Sequence, residues 1–393
     1  MKRHSMYKLF VLLLITAVVG FDAISQTPIP NQPSVAVPQA PSLAAKSYIL
    51  MDYHSGAILS ESNKDQQLEP ASITKMMTAY VVFSEIKSGN LALTDMVTVS
   101  EKAWRTGGSK MFIEVGKKVS VEDLIRGMII QSGNDACVAL AEHIAGSEEV
   151  FASLMNQHAA KIGMRNSSFA NATGLPSDGH LMTAQDIALL GKAIITEFPS
   201  LYSIYSEKQF TFNNITQHNR NTLLWRDPTV DGFKTGHTDA AGYCLATSAM
   251  RNGMRLMSVV MGTESEQARA DETQKLINYG FRFFETHKLY NAGDERLNAE
   301  VWKGKAENVS IGLSKDLFIT IPKGQYQNLK ATVDMPSLLT APIAQGTELG
   351  RLQIDLQGNT IAILPLVSLE TVEQSGWWGR TMDSIGLWFK SDD

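Results

Sequence analysis

From Met76 to Ile86 the chain is apolar on almost every side, with Met77, Ala79, Tyr80, Val81, Val82 and Phe83 in close succession. A helix of that kind has no polar stripe to show to water, so it is predicted to lie buried inside a domain. Val121–Ile130 is amphipathic at helical spacing and Asp135–Ile144 is a second helical run, which leaves Ser132-Gly133-Asn134 as a polar turn between them. Residues 145–200 give further helices with loops, among them Asn171-Ala172-Thr173-Gly174-Leu175-Pro176. Strand patterns appear on either side of this lobe. Ser47–Leu50 and Ala57–Leu59 flank the turn His54-Ser55-Gly56, and Tyr243–Met250 and Met254–Met261 are joined by Arg251-Asn252-Gly253, a good hairpin signal. Glu266 to about His287 forms a long helix, with Leu276, Ile277, Phe281 and Phe284 on its apolar face and Gln267, Asp271, Glu272 and Lys275 on the other side. The expected result is an α+β domain: a sheet flanked by the first and last helices, an inserted helical lobe, and a cleft between the two.

From about Leu289 the texture changes to short alternating segments with glycine turns. Ala299–Trp302, Val309–Ile311, Leu317–Ile321, Leu329–Val333, Arg351–Asp355 and Thr360–Pro365 predict an all-β module. In the tail, Trp377, Trp378, Met382, Ile385, Trp388 and Phe389 fall on one side of a helix, and Arg380, Asp383 and Lys390 on the other. That pattern suits an amphipathic helix lying in a headgroup region; a terminal helix packed on the β module is the alternative. At the other end, Lys2, Arg3, His4 and Lys8 precede an apolar core from Leu9 to about Gly20 and the small-residue site Ala23-Ile24-Ser25. This has the form of a secretory signal peptide, with an uncleaved anchor as the other reading. Gln26–Ser42, with Pro28, Pro30, Pro33, Pro38 and Pro41, is predicted to be an extended, unpacked leader. The chain therefore divides into a signal (1–25), a leader (26–43), the α+β domain (44–288), the all-β domain (289–372) and the amphipathic segment (373–393).

With 393 residues, 44% of them hydrophobic and 19% charged, two globular domains are well supplied with core. The net charge of −5 gives no reason to expect nucleic acid as a partner. The eight histidines are scattered without metal-ligand spacing, and Thr106-Gly107-Gly108-Ser109-Lys110-Met111 lacks the rest of a phosphate loop, so neither a metal nor a cofactor is expected. That loop is a turn at the rim of the cleft. Cys137 and Cys244 sit in apolar contexts and are expected to be buried thiols, although an exported protein could pair them.

The candidate chemistry begins at Glu69-Pro70-Ala71-Ser72-Ile73-Thr74-Lys75, where Pro70 suits a first helical turn. Ser72 and Lys75 are three residues apart and share a helix face, close enough for the amine to take the serine proton. Burial disfavours the ammonium, so a buried Lys75 is a neutral base near physiological pH. Two further stretches change the weight of this pair: Ser132-Gly133-Asn134 between helices, and Lys234-Thr235-Gly236 at the edge of a sheet. Ser-x-x-Lys, Ser-x-Asn and Lys-Thr-Gly, in that order, are the signature of penicillin-binding proteins and class A β-lactamases.

In these motifs, in the β module and in the tail, the chain resembles the low-molecular-mass penicillin-binding proteins that are D-alanyl-D-alanine carboxypeptidases of Gram-negative bacteria. The resemblance implies a penicillin-binding/serine β-lactamase-like transpeptidase fold, the peptidoglycan stem peptide as substrate, β-lactam antibiotics as acylating ligands, and a periplasmic enzyme held on the inner-membrane surface by its C-terminal helix. It further implies Ser72 as acylated nucleophile, Lys75 as its base, Ser132 as proton relay to the leaving D-alanine, and Asn134 as the group that holds the peptide amide and fixes Lys75. Lys234 would supply positive charge near Ser132 and the substrate carboxylate, and backbone N–H groups of Ser72 and His237 would form the oxyanion hole. Thr235 and Gly236 complete the third motif; Arg220 and Arg269 match family positions near the cleft, with Arg269 and Thr235 as candidates for holding the terminal carboxylate. A serine β-lactamase is the alternative, against which stand Gly133 in place of aspartate and the lack of a Glu-x-x-x-Asn pattern between Asn134 and Lys234. A non-catalytic wall-binding scaffold is the third reading.

Overall fold

The computed structural model describes residues 37–377. The signal peptide and almost all of the predicted amphipathic tail lie outside that range. A five-stranded antiparallel sheet is built from β1 (Ser47–Asp52), β2 (Ile58–Ser62), β3 (Val230–Thr238), β4 (Gly242–Arg251) and β5 (Met254–Thr263), in the order β2-β1-β5-β4-β3. The Lys-Thr-Gly segment is thus on the edge strand, as its pattern predicted. Four helices frame the site: α1 (Lys75–Lys87), α2 (Val121–Ile129), α3 (Asn134–Ala145) and α4 (Glu266–Phe283).

One face of the sheet packs on the helical lobe and the other on α4, which separates the domain into two cores. Met76 to Phe83 of α1 are all buried, and this helix forms the centre of the larger core. The C-terminal module has its own core, in which Val309, Ile311, Ile321, Ile354 and Leu366 are among the buried residues. Its main sheet has six strands, with Leu329–Asp334 at one edge.

Three expectations need correction. The last helix ends at Phe283, not near His287, and Phe284–Tyr290 is a strand paired with Leu317–Pro322. The Phe283 carbonyl accepts from the Lys323 N–H, so pairing with the β module stops a helix that the sequence pattern would have continued. Glu272 is buried and covered by Lys275 at 2.7 Å, not solvated on the outer face. The leader is packed from residue 37 onward: Val37, Ala40 and Leu43 join the core beside α4, and Tyr279 donates to the Pro38 carbonyl at 3.1 Å. A hairpin of Gln209–Phe212 and Ile215–His218 was not anticipated; Asn213 and Asn214, both at positive φ, form its turn.

Where the two domains meet, Asp52 accepts from the Ser55 N–H (2.7 Å), the Ser55 hydroxyl (2.9 Å) and the Thr286 hydroxyl (2.7 Å). Thr320 closes the knot with Ser55 and Thr286, and His54 stacks on Phe318 at 4.6 Å. The first hairpin of the sheet is therefore bonded directly to the β module.

Candidate active site

A turn of 3₁₀ helix, Ala71–Thr74, leads into α1 and carries Ser72. Ala71 holds φ 47°, a left-handed conformation that costs a non-glycine residue energy and turns the chain sharply just before the serine. Lys75 is only 1% exposed. Its Nζ lies 2.9 Å from Ser72 Oγ, 2.6 Å from Asn134 Oδ1 and 2.6 Å from the Thr173 carbonyl. Burial pulls the amine below the ordinary lysine range, and the nearby Arg220 charge acts in the same sense.

The second motif is set by the packing of α2 against α3. Ser132 is buried at φ 65°, another strained position, and Asn134 opens α3. The Gly-Gly-Ser loop wraps around this end of the helix. Asn134 donates from Nδ2 to the Gly107 carbonyl (2.7 Å) and from its N–H to the Ser109 carbonyl (2.7 Å). The buried Asp135 carboxylate accepts from the N–H groups of Met111 and Phe112, each at 3.0 Å. A loop predicted to sit at the cleft rim is thus keyed to the motif residues themselves.

Strand β3 brings the third motif against the nucleophile turn. A Cβ on Gly236 would stand 2.8 Å from the Pro70 carbonyl, so this close approach requires glycine. Lys234 and Thr235 are buried. Lys234 directs its Nζ to the Thr235 carbonyl at 3.2 Å, not to Ser132, and burial followed by the charges of Lys75, Arg220 and Arg269 holds it well below the ordinary lysine range. His237 is exposed and Arg220 is exposed, whereas Arg269 is 4% exposed and donates to the Gly236 carbonyl (3.4 Å) and Glu266 (3.2 Å). The structure therefore brings Ser72, Lys75 and Asn134 into one hydrogen-bonded cluster, with Lys234 and Arg220 near enough to act on Lys75 or on each other electrostatically. Cys137 is a free buried thiol beside it, pushed up to about 12 by burial, and Cys244 is also free. Among the described residues, no group of three or more His, Cys, Asp or Glu side chains could hold a metal ion.

Sequence reasoning placed the Asn171–Pro176 loop but missed that its Thr173 carbonyl is the third acceptor for Lys75. A backbone carbonyl has no residue signature, but the surrounding side chains do: Asn171 Oδ1 accepts from the N–H groups of Thr173 (3.1 Å) and Gly174 (2.8 Å). His180 braces the same loop. Its Nδ1 accepts from the Ala170 N–H at 3.1 Å, so Nε2 carries the proton toward Thr74 Oγ1 at 2.8 Å, and burial pulls its pKa down to about 4. Gly174 has φ 83°, and a Cβ there would meet the Ala71 carbonyl at 1.8 Å. Gly174→Ala is expected to push the loop off the nucleophile turn, at a cost of about 2–4 kcal/mol in unfolding free energy and at least roughly tenfold in acylation rate. Urea unfolding and a penicillin acylation time course measure the two; unchanged values in both would show that the loop does not hold Lys75.

The family model for D-alanyl-D-alanine carboxypeptidase matches residues 14–265, and that for the C-terminal domain of penicillin-binding protein 5 matches residues 284–374. The chain is 46% identical over 365 residues to the D-alanyl-D-alanine carboxypeptidase DacC of Escherichia coli (strain K12), covering 90% of this chain and 91% of that one. Among solved structures it is similar to penicillin-binding protein 5 from Haemophilus influenzae, with TM-score 0.84, 45% identity, and 86% and 100% of the two chains covered. Penicillin-binding protein D2 from Listeria monocytogenes in its ampicillin-bound form matches at TM-score 0.57 and 31% identity, over 61% of this chain and 100% of that one.

Proposed function

The chain belongs to the D-alanyl-D-alanine carboxypeptidases, serine-acylating hydrolases that are penicillin-binding proteins, and from that premise we propose that Ser72 is its nucleophile and Lys75 the base. The observation that carries this reading is the set of three contacts made by Lys75 Nζ. A neutral amine has two hydrogens, which Asn134 Oδ1 and the Thr173 carbonyl take up. Its lone pair is then left for the Ser72 hydroxyl. Lys75 removes that proton as Ser72 Oγ attacks the carbonyl of the penultimate D-alanine. The N–H groups of Ser72 and His237 receive the developing oxyanion. Ser132 passes a proton to the amine of the departing D-alanine as its bond to the acyl carbon breaks, and water later releases the acyl group from Ser72.

Lys234, Thr235, Gly236, Arg269 and Arg220 form the carboxylate side of the site. The family supports a stem peptide ending in D-Ala-D-Ala as substrate. A strained β-lactam presents an equivalent amide and carboxylate and acylates the same serine. Lys234, Arg220 and Arg269 lie close enough to act on one another electrostatically, and arginine forks in that position suit a terminal carboxylate. For location, the charged and apolar pattern of residues 2–25 supports export to the periplasm, and the tryptophan-rich face of residues 377–389 supports reversible attachment to the inner-membrane surface.

Intact-mass spectrometry after brief exposure to penicillin, with D-alanine release from a diacetyl-Lys-D-Ala-D-Ala peptide, tests the reading. The expected result is one intact penicillin on the peptide containing Ser72, together with free D-alanine. Rapid loss of penicillin with no adduct and no D-alanine would overturn it in favour of a β-lactamase.

A further inference from the structure

Strands β3 and β4 pair His237 directly with Tyr243, so the two side chains share the face of the sheet covered by α4. The rings stack with centroids 3.9 Å apart and planes 27° from parallel. From the first turn of α4, Arg269 sets its guanidinium carbon 5.5 Å from the centroid of the same Tyr243 ring. The main chain that carries the ring is anchored, since Thr263 donates its hydroxyl to the Tyr243 backbone carbonyl at 3.0 Å. The Tyr243 hydroxyl makes no hydrogen bond among the described residues, so what the site uses is the aromatic face.

We infer that Tyr243 is a positioning residue for the substrate carboxylate: one ring holds both the Arg269 fork and the His237 end of the third motif. The inference rests on the carboxylate role proposed above for this side of the site. An arginine side chain has several rotatable bonds, and binding an anion with it requires ordering them. The Tyr243 face and the Gly236 carbonyl order Arg269 before substrate arrives, and a guanidinium over an aromatic face is favoured electrostatically. The nearest acid, Glu266, contacts Arg269 from the exposed side, at 3.2 Å, and can yield to a substrate carboxylate. The chemical consequence is selectivity for peptides with a free C-terminal carboxylate, set in part by a residue that does not touch them.

The test uses Tyr243→Leu and Tyr243→Phe in the full chain, assayed beside the wild-type enzyme for D-alanine release. Tyr243→Leu is expected to raise KM about tenfold with a smaller change in kcat, because the lost order is in ground-state binding, and Tyr243→Phe is expected to restore most of the loss. Circular dichroism and penicillin stoichiometry report whether the leucine variant folds, with Tyr243→Met as the substitute if it does not. An unchanged KM in a folded leucine or methionine variant, or a phenylalanine variant as impaired as leucine, would overturn the proposal. A wild-type enzyme that releases no D-alanine would instead overturn the underlying carboxypeptidase mechanism, so the two failures are distinct.

Discussion

Replacing Ser72 by alanine is expected to abolish the penicillin adduct and to reduce D-alanine release by at least roughly 10⁴-fold, with the fold preserved. The side-chain oxygen of Ser72 has Lys75 Nζ as its hydrogen-bond partner, and Lys75 keeps the Asn134 and Thr173 acceptors when the hydroxyl is gone. No buried group is left without a partner, so the change in unfolding free energy is expected to stay within about 1 kcal/mol. The substitution therefore separates chemistry from architecture. Intact-mass spectrometry, peptide turnover and a thermal melt on the same preparation report all three quantities. Retained D-alanine release would place the nucleophile elsewhere. A wild-type protein inert in both assays, with wall binding unaffected by the substitution, would favour the scaffold reading.

The Ser72–Lys75 pair was legible because a three-residue spacing on a helix is a geometric statement, and the apolar run Met77–Phe83 announced the burial on which the base depends. Lys234-Thr235-Gly236 was legible as an edge strand for a similar reason, lying just before a clear hairpin. Sequence spacing could not reveal contacts made by the backbone. The Thr173 carbonyl that holds Lys75, and the Asp135 carboxylate that gathers N–H groups of the Gly-Gly-Ser loop, depend on chain paths set by distant packing. Nor could local pattern say that Phe284 leaves its helix, since the competing strand lies over thirty residues away at Leu317–Pro322. Arg269 shows the same limit from the other side. By pattern alone it is one more helical arginine, singled out only through the family resemblance, and only the meeting of α4 with β3 buries it against Gly236.

Replacing Lys75 by methionine keeps the length of the side chain and removes the amine, and the acylation rate is expected to fall about 10³-fold. Two opposing terms set its stability. Methionine is readily buried, whereas the amine must be desolvated, which favours the variant. Against that, Asn134 Oδ1 and the Thr173 carbonyl lose their donor, at about 1–3 kcal/mol for each buried acceptor left unmatched. The second term is the larger, so urea unfolding is expected to show a net loss of about 1–3 kcal/mol. The pH dependence identifies the base more directly. Because the Lys75 pKa is lowered in the fold, the amine is neutral, and competent to take a proton, above a pKa that lies below the ordinary lysine value of about 10.4. As pH falls through that value the amine binds a proton and acylation slows, which gives the wild-type rate an acid limb. Lys234 is also lowered, and the Lys75 charge is one of the causes, so the limbs of the profile belong to the two lysines as a coupled pair. In Lys75→Met the residual acylation rate is expected to lose its acid limb. Penicillin acylation rates measured across pH for both proteins decide the matter: an acid limb that persists in the variant at the same pH would assign proton removal to another group, and the three short contacts of Lys75 would then be structural.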